Sequence, residues 1–175
     1  GYLWTKLFKR EIIQLGVRFD ERIYFNEDRL FCVNYLCLQK GNVFYTTTPV
    51  YKYYERSSSA ISTLKKEFNY KFLTDFDSYI QIMHLVSIYG LLQDAKIIKF
   101  SFISSYMRIQ NMMKYNGIQD LKLKSRMKNV LYQNVSSIDL LWYYLVMYGK
   151  RLAKKLGMNQ KSIVRKFFRK YWFNE

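Results

Sequence analysis

Residues 138–152, IDLLWYYLVMYGKRL, set Ile138, Leu141, Leu145, Tyr148 and Leu152 at intervals of three and four. Such intervals put five apolar side chains on one face of an α-helix, the seam expected of an antiparallel helical bundle. The same period recurs upstream. Ile98, Phe102, Tyr106, Ile109 and Met113 make a second stripe, with Gly117 placed to end its helix, and Phe72, Phe76, Tyr79, Ile80 and Met83 make a third. Everything after Thr63 therefore reads as helix, and these stripes read as core rather than as cofactor contacts. A single Pro leaves long helices unbroken, and a hydrophobic content of 50% with 19% aromatics excludes disorder. No repeat of solenoid period is present.

The first third is organised differently. Leu3, Leu7, Phe8, Ile12 and Leu15 predict a helix over Trp4 to Leu15 that Gly16 ends. After a connecting segment, Asn26 is placed to cap a second helix, with Glu27 and Asp28 in its first turn and Gly41 as its stop after Gln39 or Lys40. Val43 to Thr48 and Val50 to Tyr54 are rich in β-branched and aromatic residues and are interrupted by Pro49, so they predict one bent strand or two short ones. Ser57 to Ser62 is either a boundary or a loop that touches phosphate. The expected fold is mainly α: a short β element near residues 42–56, then a bundle of four or five helices, divided as 1–63 and 64–175.

The net charge of +16 narrows the partners. Residues 66–175 hold nineteen Lys and Arg against seven acids, and no acid lies between Asp139 and Glu175. A surface of that sign favours membrane lipid, nucleic acid or a pyrophosphate compound without choosing among them. Near the end, Val164, Phe167, Phe168 and Tyr171 share one helical face and Arg165, Lys166, Arg169 and Lys170 the other, with Trp172 following. That pattern fits adsorption to an anionic membrane and packing on the bundle equally well. The longest apolar run, Leu140 to Tyr148, is far short of the roughly 20 residues that cross a bilayer. Cys32 and Cys37 match no zinc or redox spacing and read as buried thiols, which makes the reducing cytoplasm the expected compartment.

Glu27-Asp28 taken alone has a plain explanation, since acids in a first helical turn favour the exposed backbone N–H groups. The pair keeps company, however. Trp4-Thr5-Lys6-Leu7, then Gly16-Val17-Arg18-Phe19, then Tyr24-Phe25-Asn26-Glu27-Asp28, then Pro49-Val50-Tyr51-Lys52-Tyr53-Tyr54 and Ser59-Ala60-Ile61-Ser62 follow one another in an order and spacing that resemble bacterial family 2 glycosyltransferases of the GT-A fold. The likeness covers about residues 2–65; no single motif in it is specific, and the ordered set carries it.

The resemblance implies a sugar transferred from a nucleotide-sugar donor to a saccharide or lipid-linked acceptor in surface polysaccharide assembly, at the inner face of the plasma membrane. It makes Asp28 the catalytic base, with Glu27 in support, and the β element a remnant of the GT-A sheet. It places Trp4 and Lys6 at the acceptor or donor pocket, and Arg56 and Ser59 near the donor diphosphate, where a guanidinium makes paired contacts to phosphate oxygens. A divalent metal, Mg or Mn, belongs to the full-length enzyme and not to these residues alone.

The departures are equally plain. Family members begin with a nucleotide-binding half that carries an Asp-x-Asp metal motif, and no such half precedes Gly1 in this chain. Asp75-Phe76-Asp77 lies inside a helical stripe and reads as chance; His84, the sole histidine, reads as a helical residue rather than a ligand. The chain is thus expected to be a carboxy-terminal fragment, inactive alone, that dimerises or swaps to cover apolar surface of residues 1–65. The rival reading is a basic helical module for nucleic acid or an anionic membrane. Nucleic acid is disfavoured because no helix-turn-helix, zinc-finger or aromatic RNA-binding signature accompanies the charge.

Overall fold

Helical period becomes helix through the second part of the chain. The computed structural model describes residues 3–48, 51–52, 54, 68–91 and 95–157, and these are mainly helical. They form α1 (Arg10–Gln14), α2 (Glu27–Leu38), α3 (Leu73–Ile88), α4 (Ala95–Tyr115), α5 (Leu121–Asn134) and α6 (Ser137–Lys155), with 3-10 turns at Leu3–Thr5 and Tyr70–Phe72.

The α3–α4 pair is the middle of the molecule. Phe76, Tyr79, Ile82 and Val86 of α3 meet Phe102, Ile103, Ile109 and Met113 of α4, and the rings of Phe76 and Phe102 stack with centroids 4.5 Å apart. Leu30 of α2, Met127 and Leu131 of α5, and Tyr143 of α6 close the same core from three sides. A smaller cluster lies across α2, where Val17, Phe31 and Tyr35 gather Leu3, Phe8, Ile12, Ile13 and Leu38. Neighbouring positions on a helix are about 100° apart, so Leu30 and Phe31 face different clusters and α2 is the wall between them.

Gly117 ends α4 as expected, whereas α2 stops at Leu38 with Gln39 already extended, ahead of the expected stop at Gly41. Gly117 takes the left-handed conformation, φ +67°, and the Ile118 N–H reaches the Met113 carbonyl at 2.8 Å while Gly117 reaches Lys114 at 3.2 Å. These two bonds satisfy carbonyls that the helix end would otherwise leave unpaired.

Three expectations are corrected. The helix predicted from Trp4 to Leu15 is broken: only Arg10–Gln14 is α-helical, and Leu7 is fully exposed. Phe8 inserts edge-on between Phe31 and Tyr35, at 5.4 and 4.9 Å, and the Lys9 N–H donates to the Tyr35 hydroxyl at 2.8 Å. The tertiary acceptor replaces a carbonyl four residues back, so the local helix gives way.

The short β element is the second. Among the described residues there is no strand, and residues 42–48, 51–52 and 54 are irregular; Pro49, Val50, Tyr53 and Arg56 lie outside the described residues. A strand exists only beside a partner that takes its backbone bonds. No second extended segment supplies one among the described residues, and Phe44 and Tyr45 stand 93% and 88% exposed.

The third concerns α6. Ile138, Leu141, Leu145, Tyr148 and Leu152 are not the bundle seam but the outer face. The seam is Tyr143, Val146 and Ala153, flanked by Leu140 and Met147, with the Tyr143 ring 4.9 Å from Phe100. Both faces are apolar, and spacing alone cannot select the one that turns inward.

α6 starts at a capping box. Ser136 Oγ accepts from the Asp139 N–H at 3.2 Å, Asp139 Oδ2 accepts from the Ser136 N–H at 2.8 Å, and the Lys99 ammonium sits 3.1 Å from the same oxygen. Burial works against the charged carboxyl, yet the hydrogen bonds from Ser136 and Lys99 outweigh it and hold the Asp139 carboxyl below its ordinary value of 3.8. Its stabilisation is therefore complete above that ordinary value and is lost as pH falls through the lower, folded-state one. Urea unfolding at pH 7 should show Asp139→Ala less stable by about 1–2 kcal/mol. The deficit should shrink on acidification, and a deficit independent of pH would contradict the ionic part of the cap.

Candidate functional site

The start of α2 is fastened to one stripe of α3. Thr74 Oγ1 accepts from the backbone N–H groups of Tyr24 and Phe25 at 3.1 and 3.0 Å and itself donates to the Lys71 carbonyl at 2.7 Å. One turn on, Ser78 Oγ accepts from Asn26 Nδ2 at 2.9 Å and donates to the Asp75 carbonyl at 2.8 Å. Gln81 Nε2 then donates to Asp20 Oδ2 at 3.0 Å, an oxygen that also pairs with Arg22 at 2.8 Å. Positions 74, 78 and 81 lie on one helical face, so three polar side chains grip the loop before α2 along its length. The Arg22 and Gln81 donors hold the Asp20 carboxyl far below the ordinary carboxylate range.

This grip corrects the reading of Asn26. It precedes the helix as expected, but its backbone is left-handed, φ +70°, and its side chain is spent on Ser78 instead of capping the first turn. Asn tolerates that conformation better than most residues. The capping task falls partly to Asp28, whose Oδ1 accepts from the Arg29 N–H at 2.7 Å. Arg29 in turn donates to the Tyr79 hydroxyl and rests its guanidinium 5.3 Å from the centre of that ring.

Glu27 and Asp28 are both half-exposed at this fixed point. Asp28 is not sealed in the bundle. Cys32, one turn further along α2, reports what lies beside it. Burial pushes the Cys32 thiol up, Lys6 pulls it down, and Asp28 pushes it up again. Asp28, four residues before Cys32, shares its side of α2. Lys6 also reaches the Thr5 hydroxyl at 3.3 Å.

Trp4 is 43% exposed and its ring centroid lies 6.1 Å from that of Tyr51. The structure therefore joins the first and fourth of the ordered motifs, and Lys52 places its ammonium 5.2 Å from the Tyr54 ring. Arg56 and Ser59 lie outside the described residues.

Asp75 and Asp77 do not form a pair. Asp75 is buried and accepts from Ser105 Oγ and the Arg108 guanidinium, tying α3 to α4. Asp77, two positions on, projects the other way and is exposed as a residue, although desolvation of its carboxyl still raises it against the pull of Arg126. Residues two apart on a helix do not face each other, so one metal ion cannot use both. His84 is on the exposed side of α3. Among the described residues, no three His, Cys, Asp or Glu side chains converge. The described residues therefore form no divalent-metal site of their own.

No protein-family model, curated protein or solved structure matches the chain. The likeness to glycosyltransferases thus rests on the ordered residues, and the case for a site on the geometry around Asp28. Sequence reasoning missed the Thr74, Ser78 and Gln81 grip and the Arg29–Tyr79 contact. The signal was a polar stripe at intervals of four and three within an otherwise apolar helix.

Proposed function

We propose that the chain is the carboxy-terminal portion of a family 2 glycosyltransferase, acting at the cytoplasmic face of the plasma membrane in bacterial surface polysaccharide assembly. In this reading Asp28 is the base of an inverting transfer from a nucleotide sugar to a saccharide or lipid-linked acceptor. The acceptor hydroxyl attacks the anomeric carbon and gives its proton to the Asp28 carboxylate. The new bond runs from acceptor oxygen to anomeric carbon, the bond from that carbon to the diphosphate breaks, and the nucleoside diphosphate leaves as an anion. One carboxylate suffices because the leaving group departs without a proton.

The observation that carries the proposal is the fixed, half-exposed position of Asp28 at the opening of α2. A base is effective only when held within reach of the proton it takes, and the contacts to Thr74, Ser78 and Gln81 supply that rigidity. Glu27 supports the acceptor. The exposed faces of Trp4 and Tyr51 offer flat apolar surface to a sugar ring, and Arg56 and Ser59 are assigned to the donor diphosphate by the resemblance alone. A divalent metal, where the full-length enzyme holds one, would neutralise the leaving diphosphate. Under the same proposal, residues 42–56 would become a strand only where the preceding half of the enzyme supplies a partner for their backbone.

The test is nucleoside diphosphate release by the full-length protein, measured with a panel of nucleoside-diphosphate sugars with and without saccharide and lipid-linked acceptors. Release that depends on an acceptor is expected. A folded protein that releases nothing from any donor would sink the proposal.

A further inference from the structure

α6 is apolar on two faces, and a helix apolar all round is normally enclosed on all sides. Its inner face is buried against the bundle. Its outer face presents Ile138, Leu141, Tyr144, Leu145, Tyr148 and Leu152, each between 41% and 66% exposed. A single exposed leucine is ordinary, whereas six such residues in one stripe over about four turns mark a contact surface. The stripe continues as charge: Arg151 and Lys155, seven residues after Tyr144 and Tyr148, are exposed at its end. The one acid of the helix, Asp139, is engaged by Ser136 and Lys99.

We propose that the outer face of α6 docks on an anionic lipid bilayer. The helix lies in the headgroup plane, with its apolar stripe at the acyl boundary and Arg151 and Lys155 on lipid phosphates. No described helix is long and apolar enough to cross a membrane, so α6 rests on the surface. Tyr144 and Tyr148 suit that depth, since each has an apolar ring and a polar tip.

Charge complementarity selects this occupant. A second copy of the chain carries the same +16, and in a symmetric pairing through this face it would set against the cationic helix end the same helix, whose single acid, Asp139, is already engaged. Residues 158–175 add five Lys and Arg with one acid, so they deepen the positive field instead of neutralising it. An anionic surface supplies the missing sign and the apolar interior together. The inference does not depend on the role given to Asp28.

The full chain is sedimented with vesicles of phosphatidylcholine alone and with vesicles holding about 30% phosphatidylglycerol, a composition of strongly negative surface potential. Partitioning should be at least about tenfold higher on the anionic vesicles and should fall as salt rises from about 0.05 to 0.5 M. The double variant Leu141→Ser/Leu145→Ser should lose about tenfold or more, with its circular dichroism unchanged. Arg151→Glu/Lys155→Glu, which keeps both leucines, should lose binding too and serves if the leucine variant fails to fold. Equal partitioning to both vesicle types, or undiminished binding by both folded variants, overturns the proposal. So does a dimer in light scattering that the leucine variant abolishes, because the occupant would then be a second copy.

Discussion

Asp28→Asn in the full-length protein should lower kcat by about 10²- to 10⁴-fold, the range for a lost general base, while leaving the thermal midpoint in place. The substitution changes little except the ability to accept a proton. Asn keeps a side-chain oxygen where Asp28 Oδ1 receives the Arg29 N–H, and the grip of Thr74, Ser78 and Gln81 does not touch residue 28 at all. A purely structural role predicts the opposite pattern, with stability lost and turnover nearly kept, because a first-turn carboxylate favours the helix through its charge. Measuring kcat and the unfolding midpoint on the same preparation separates the two. Glu27→Gln is the control, and its effect on kcat should be smaller because Glu27 takes no proton in the step.

Phe102→Ala should cost about 3–5 kcal/mol in urea unfolding, the range for an aromatic ring removed from a closed core. Phe102 has no exposed surface, and its ring stacks on Phe76 at the contact between α3 and α4. The loss includes the cavity left behind, because Ile82, Ile103 and Ile109 are equally enclosed and have little room to collapse inward. The start of α2 hangs on α3, so the site should loosen before the chain unfolds. Under the proposed function, the activity of the full-length protein should therefore fall at lower urea than helicity does. A loss below about 1 kcal/mol would show that the helices do not meet at Phe102.

The stripes of α3 and α4 were legible because burial there follows one apolar face per helix. Phe76, Tyr79, Phe102, Ile109 and Met113 are all in the core as their spacing requires. The stop at Gly117 was legible for a similar reason, since few other residues accept its backbone conformation. What could not be read depends on partners distant in sequence. The helix expected from Trp4 was cut by a hydroxyl 26 residues away from Lys9. The strand chemistry near Phe44 had no second strand beside it among the described residues, and α6 offered two apolar faces where spacing favours neither.

The candidate site divides in the same way. The order of motifs singles out Trp4, Lys6, Glu27 and Asp28, and the structure brings Trp4 to Tyr51. The residues that hold the site steady were silent in the sequence. Thr74, Ser78 and Gln81 look like any polar face of a helix until their partners, Tyr24, Asn26 and Asp20, are in view.

The central claim is that the Asp28 carboxylate is aimed at an acceptor hydroxyl. It is tested most directly by a structure of the full-length protein with a nucleoside-diphosphate sugar and an acceptor bound. The account predicts an Asp28 oxygen within about 2.6–3.2 Å of the attacking hydroxyl, on the face of the sugar opposite the diphosphate. An acceptor seated elsewhere, with both Asp28 oxygens turned back onto the amides of α2, would contradict it.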